Sequence, residues 1–122
     1  MNPASRITDE RFAFGENWLR FLEAVDERRI DEAVRSLRDF LEADDLTGRT
    51  LLDLGSGSGL FSLAATRLGA ESVRSVDYDR QSVACTEALR RRFGGPDATW
   101  DITRGDATDA DFMDSLGTFD IV

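Results

Sequence analysis

Apolar residues recur at helical spacing through the first third of the chain and in short blocks after it. Trp18, Phe21, Leu22 and Val25 fall on one helix face within 15–26. Ile30, Val34, Leu37 and Leu41 form the stripe of a second helix from about residue 30, with Arg35, Arg38 and Asp39 turned outward. The polar stretch DDLTGR at 44–49 reads as a turn. From Thr50 the period shortens: TLLDL (50–54), SVRSV (72–76), ATWDITR (98–104) and TFDIV (118–122) read as strands. Between them lie a helix over 60–68 stopped by a left-handed Gly69, a helix capped by Asp79 and closed by Gly94, Gly95 and Pro96, and a short acidic helix or turn at 107–116. Strands alternating with helices predict an α/β fold, with a mostly parallel sheet, right-handed crossovers and cover on both faces.

The stretch LLDLGSGSGL at 51–60 places three of the ten glycines inside five residues. Glycine loses more backbone freedom on folding than any other residue, so such a cluster implies a tight turn, a ligand against bare main chain, or both. An isolated Gly-rich loop is most often only a turn. Here it lies between a strand and a helix, and Asp77 follows Gly59 by eighteen residues, the arrangement in which open sheets hold nucleoside cofactors beyond the carboxyl ends of their strands. Two further acidic segments, DYD at 77–79 and GDATD at 105–109, fall at such ends. Dinucleotide binders place the third glycine one residue later, where this chain has Leu60. Asp53 beside the turn repels pyrophosphate and suits an ammonium or other cation.

Composition narrows the partners. The chain has 122 residues, enough for one domain with one core, and reads as a single unit: a helical extension over 1–46 and a sheet-containing core over 47–122. Twenty-four acidic residues against fifteen basic ones give a formal charge of −9, which argues against nucleic acid and anionic membrane surfaces. The RRR run at 90–92 reads as the cationic end of a helix. No apolar run is long enough to span a membrane and the N-terminus lacks the blocks of a signal peptide, so the expectation is cytoplasmic. With no histidine and one cysteine, Cys85, no metal site is expected, and Cys85 reads as a small buried apolar residue. FDIV, apolar on both sides of the pleat, has no successor to pair with. It is expected to belong to a longer chain, or to self-associate through an exposed fourth-strand edge.

DLGSGSG, the acidic VDYD and the GDA turn together resemble the successive motifs of class I S-adenosylmethionine-dependent methyltransferases, over about residues 47–122. The resemblance implies a Rossmann-like sheet of order 3-2-1-4, truncated after the fourth strand. It implies S-adenosylmethionine as cofactor, with Gly55, Ser56, Gly57 and Gly59 along its methionine half and Asp53 near its ammonium group. Asp77 would take the ribose hydroxyls and Tyr78 would lie along the adenine. Asp106 would accept from the adenine amino group, with the Ala107 amide near the ring. Asp120 would either reach the methionine end or brace its turn. Plainer readings stand beside these: Asp77 and Asp106 as helix caps, Tyr78 as a solvated edge, and Trp18 and Phe14 as sheet packing rather than a lid. Methyl transfer from a sulfonium is a direct displacement that positioning can drive without a protein base, so no catalytic residue is assigned. The acidic surface favours a small-molecule acceptor. A nicotinamide-dependent oxidoreductase and a non-catalytic binding module remain as alternatives.

Overall fold

A computed structural model describes residues 17–122. A helix over 17–24 (α1) leads to α2 (Glu27–Leu41), β1 (Thr50–Leu54), α3 (Leu60–Arg67), β2 (Ser72–Asp77), α4 (Arg80–Phe93), β3 (Trp100–Arg104) and α5 (Ala110–Ser115). The second helix starts three residues before its apolar stripe. Asp26 stands in extended conformation and accepts from the Arg29 N–H, so the polar run after it forms the first turn. Glu42 ends the helix in a left-handed conformation.

The three strands pair in parallel, with β2 between β1 and β3. Leu51 faces Val73 and Val73 faces Trp100 across the sheet, which stacks three buried apolar residues on one face. On that face α3 contacts β1 and β2 while α4 contacts β2 and β3. The two helices also touch each other, and α2 packs on α3. Ile30, Leu46, Leu63 and Leu89 fill the space between this helical layer and the strands, all at 1% exposure or less.

The fourth strand expected over 118–122 is present as a single parallel bridge between Leu51 and Ile121 on the free edge of β1. Leu52 N–H donates to the Ile121 carbonyl at 2.8 Å and Ile121 N–H donates to the Thr50 carbonyl at 3.0 Å. Apolar alternation marks the segment as suited to a strand, but a ladder needs more residues in register than these. Among the described residues, no helix is long and apolar enough to cross a membrane.

Candidate functional site

The glycine turn joins β1 to α3 and is tied to the end of β2. Gly55 and Ser56 both donate their N–H groups to the Val76 carbonyl, at 2.8 and 3.2 Å, and Gly59 N–H donates to the Ser56 carbonyl at 2.9 Å. Gly57 N–H donates to the Asp77 carboxylate at 2.9 Å. Gly55, Gly57 and Gly59 all have positive φ, 73°, 58° and 86°, which L side chains rarely adopt. At Gly59 space excludes a side chain as well, because a Cβ would meet Thr86 Cγ2 at 2.7 Å and Oγ1 at 2.9 Å. The third glycine therefore lets α4 approach the start of α3. Thr86 Oγ1 also donates toward the Gly57 carbonyl, at 3.2 Å, and toward the Ser82 carbonyl, at 3.0 Å. Gly55 differs: among the described residues, its chain neighbours aside, no atom lies within 4 Å of where its Cβ would be.

Asp77 joins two segments far apart in sequence. One carboxylate oxygen accepts from Gly57 N–H, and the other accepts from Asp79 N–H at 2.9 Å. The cap of α4 is Asp79, which accepts from the Ser82 N–H and hydroxyl, both at 3.1 Å, so Asp77 is not a helix cap. Tyr78 is 67% exposed. The Arg104 guanidinium lies 5.7 Å from its ring centroid and Arg104 Nε donates to its carbonyl at 3.0 Å. These two residues, with Asp79, Arg80 and Gln81, line an open cleft beyond the ends of β2 and β3.

Asp106 follows β3 and turns onto its own backbone: its Oδ1 accepts from the Thr108 N–H at 2.9 Å and from the Thr108 hydroxyl at 2.7 Å. Those bonds hold its carboxyl below the usual carboxylate range. The cap of α5 is Asp109, so Asp106 is not a helix cap either. Ala107 is exposed within the turn. Gly105 ahead of it must be bare because the Phe112 ring occupies the place of a Cβ.

Asp53 sits at the head of a buried polar chain. Its Oδ2 accepts from the Ser62 hydroxyl at 2.6 Å, Ser62 Oγ lies 2.5 Å from Ser75 Oγ, and the Trp100 indole N–H donates to Ser75 Oγ at 2.9 Å. Burial pushes the Asp53 carboxyl above its ordinary range; the Ser62 bond opposes this and the charge of Asp77 adds to it. On its other side Asp53 borders an apolar cleft with Leu37, Phe40 and Phe61.

The remaining candidates divide between the turn and the far end of the strand. Asp120 Oδ2 accepts from the Thr50 N–H at 2.8 Å, and Thr50 opens β1, so Asp120 braces the end of the strand opposite the glycines. Trp18 lies against α4, where its carbonyl receives the Cys85 thiol at 4.0 Å, and its ring reaches within 3.8 Å of a Cβ built on Gly57. Phe14 lies outside the described residues. Cys85 is buried, which pushes its thiol up to about 11.

The arrangement brings bare backbone, two carboxylates and an exposed ring to one end of the sheet. Ser56 Oγ is buried there without a hydrogen-bond partner among the described residues, which is costly unless a ligand supplies one. Among the described residues no cluster of three side chains could hold a metal ion. Sequence reasoning missed Ser62, Ser75, Trp100 and Thr86. For Thr86 a signal existed, since a glycine opening a helix invites a close neighbour. The other three needed the register of the sheet.

The profile of a family described as ribosomal protein L11 methyltransferase (PrmA) matches residues 34–98, slightly more than half of the chain. The ribosomal protein L11 methyltransferase of Alteromonas mediterranea is 45% identical over 58 residues, and that of Photobacterium profundum 39% over 59; each match covers 48% of this chain. The chain spans about a fifth of the length of these relatives, 20% in both cases. Among solved structures, a protein of Streptococcus mutans provisionally described as a SAM-dependent methyltransferase superposes with a TM-score of 0.59 at 29% identity, over 71% of this chain and 24% of that one. A second provisionally described methyltransferase, solved in complex with SAH, gives 0.53 at 27% identity over the same shares, 71% and 24%. The relatives' name specifies a protein acceptor, which overturns the small-molecule acceptor expected from the acidic surface. The charge argument failed because a net negative surface admits a cationic protein as readily as a small solute. With the matched span running from α2 through both crossovers to the approach of β3, the chain belongs to the ribosomal protein L11 methyltransferase (PrmA) family.

Proposed function

We propose that the chain binds S-adenosylmethionine and forms the cofactor-binding part of a methyltransferase acting on a ribosomal protein. The observation that carries this reading is the bond from Gly57 N–H to Asp77, which fixes the bare turn after β1 against the acidic end of β2. The open space over Gly55 and the unpartnered Ser56 hydroxyl fit a ligand laid along that backbone. Gly55, Ser56, Gly57 and Gly59 would line the methionine half, with Asp53 near its ammonium. Asp77 has lone pairs beyond its two backbone bonds for a pair of ribose hydroxyls. Tyr78 would lie along the adenine with Arg104 behind it, and Asp106 and Ala107 would meet the adenine edge.

The cofactor, when bound, supplies an electrophilic methyl group on sulfonium. The chain's own residues bind and orient: the turn presents main chain, Asp53 and Asp77 set the polarity of the two ends, and the Trp18 ring stands beside Gly57. None of the described residues is assigned as a base. The protein acceptor rests on the relatives' names, and a chain of net charge −9 is suited to a cationic protein surface.

Calorimetry with S-adenosylhomocysteine and with NADH tests the cofactor, and transfer of labelled methyl to ribosomal protein L11 tests the acceptor. Binding of the first ligand but not the second, with label on that protein, is the expected result. Tighter binding of NADH, or label appearing only on other molecules, would overturn the corresponding half of the reading.

A further inference from the structure

The polar chain behind Asp53 has a direction. An indole N–H can only donate, so Ser75 Oγ accepts from Trp100 and its own proton is left for Ser62. Ser62 then spends its proton on Asp53 Oδ2, at 2.6 Å. Each hydroxyl has one proton, and with Asp53 ionised a reversed Ser62–Ser75 link would leave two acceptor oxygens, Ser62 Oγ and Asp53 Oδ2, facing each other. Ser62 and Ser75 are at 0% exposure and Trp100 at 4%, so water does not compete for these bonds. The sheet register makes the chain possible: Asp53 lies directly opposite Ser75, and Trp100 is the diagonal neighbour of Ser75 on β3. Asp53 Oδ1 has no hydrogen-bond partner among the described residues.

Resting on the cofactor reading above, we infer that Trp100, Ser75 and Ser62 form a one-way donor chain that holds Asp53 Oδ2 and leaves Oδ1 directed to the ligand's ammonium group. Ser62 is thus a positioning residue for recognition of the amino-acid end of the cofactor. The chain also opposes the two influences that raise the Asp53 carboxyl, burial and the charge of Asp77. An undirected carboxyl in the same place would protonate more readily and lose its attraction for the ammonium.

The test uses two ligands that share adenosine and a thioether but differ in the amino-acid end: S-adenosylhomocysteine carries it and 5′-methylthioadenosine does not. In the full-length protein, Ser62→Ala is expected to weaken the first about tenfold, the scale of one charge-assisted bond, and to leave the second unchanged. The pH midpoint below which S-adenosylhomocysteine binding fails moves upward in the variant, and Ser62→Thr, which restores the hydroxyl, restores both readings. Trp100→Phe removes the N–H and keeps a smaller aromatic ring in the core, so, in the folded variant, it provides a second test with the same expected ligand pattern. Equal weakening of both ligands, or of neither, in folded variants overturns the inference and leaves the cofactor reading standing. A wild-type protein that binds neither ligand overturns the cofactor reading and the inference with it.

Discussion

Asp77 and Gly57, twenty residues apart in sequence, are joined by a 2.9 Å hydrogen bond that closes the glycine turn onto the end of β2. The same carboxylate holds Asp79 N–H with its other oxygen. One side chain thereby sets two loops, and the two loops carry most of the proposed cofactor contacts.

Replacing Asp77 by Asn turns one of its acceptor positions into a donor facing a backbone N–H. A lost charge-assisted bond with an unsatisfied partner costs about 1–3 kcal/mol. Asp77→Asn is expected to lower stability on that scale in denaturant unfolding and to weaken S-adenosylhomocysteine by more than tenfold in calorimetry. Unchanged affinity would show that the carboxylate serves the turn alone.

Gly59 and Gly55 both have positive φ, yet they predict different outcomes. An added methyl at Gly59 drives into Thr86, while at Gly55 it meets nothing within 4 Å among the described residues beyond its chain neighbours. Gly55→Ala carries only the conformational penalty of about 1–2 kcal/mol. Gly59→Ala adds overpacking of about 1–3 kcal/mol. Combining Gly59→Ala with Thr86→Ala is expected to recover most of the second cost and none of the first, read as a coupling energy from thermal melts of the four proteins.

Cys85 offers a check on the core. Burial raises its thiol from 9.0 to about 11, so the folded protein keeps a proton that the unfolded chain has released. Stability on this account is full below pH 9 and falls as pH rises toward 11. Alkylation by iodoacetamide at pH 8 is expected to be slow and to follow the opening of the fold. Rapid labelling of the native protein would place the thiol at the surface.

Asp106 has the opposite sign. Its bonds from Thr108 lower the carboxyl, so whatever stability they bring is present above the ordinary carboxylate value and is lost as pH falls through the lowered one. A carboxyl carbon titration by NMR is expected to place Asp106 below its unfolded value, and Thr108→Ala to return it upward. This separates the turn-forming role of Asp106 from any contact with a ligand, since it needs none.

The parts of this fold legible in the sequence are those set by neighbours in the chain. Gly69 stops α3 because its φ of 83° suits glycine, and Asp79 caps α4 because its side chain reaches three residues on. The turn and its acidic partner were visible as spacing. Their bond was not, since it depends on how β2 ends beside β1. The start of α2 was set three residues too late because Asp26 marks it by a cap rather than by apolar residues. The chain from Trp100 to Asp53 was invisible for a different reason. Serine and tryptophan in strands look like ordinary sheet residues until register places 53, 75 and 100 together. The acceptor was misread because net charge speaks to long-range fields and not to the shape of a partner.

Thr86 binds the Gly57 carbonyl while its methyl and hydroxyl rest where a Gly59 side chain would stand, so the turn and α4 are fastened into one body. A cradle assembled before its guest arrives has little to rearrange on capture. Association with the nucleoside is accordingly expected to be a single bimolecular phase whose rate scales linearly with ligand concentration, without the plateau that a loop-opening step would impose.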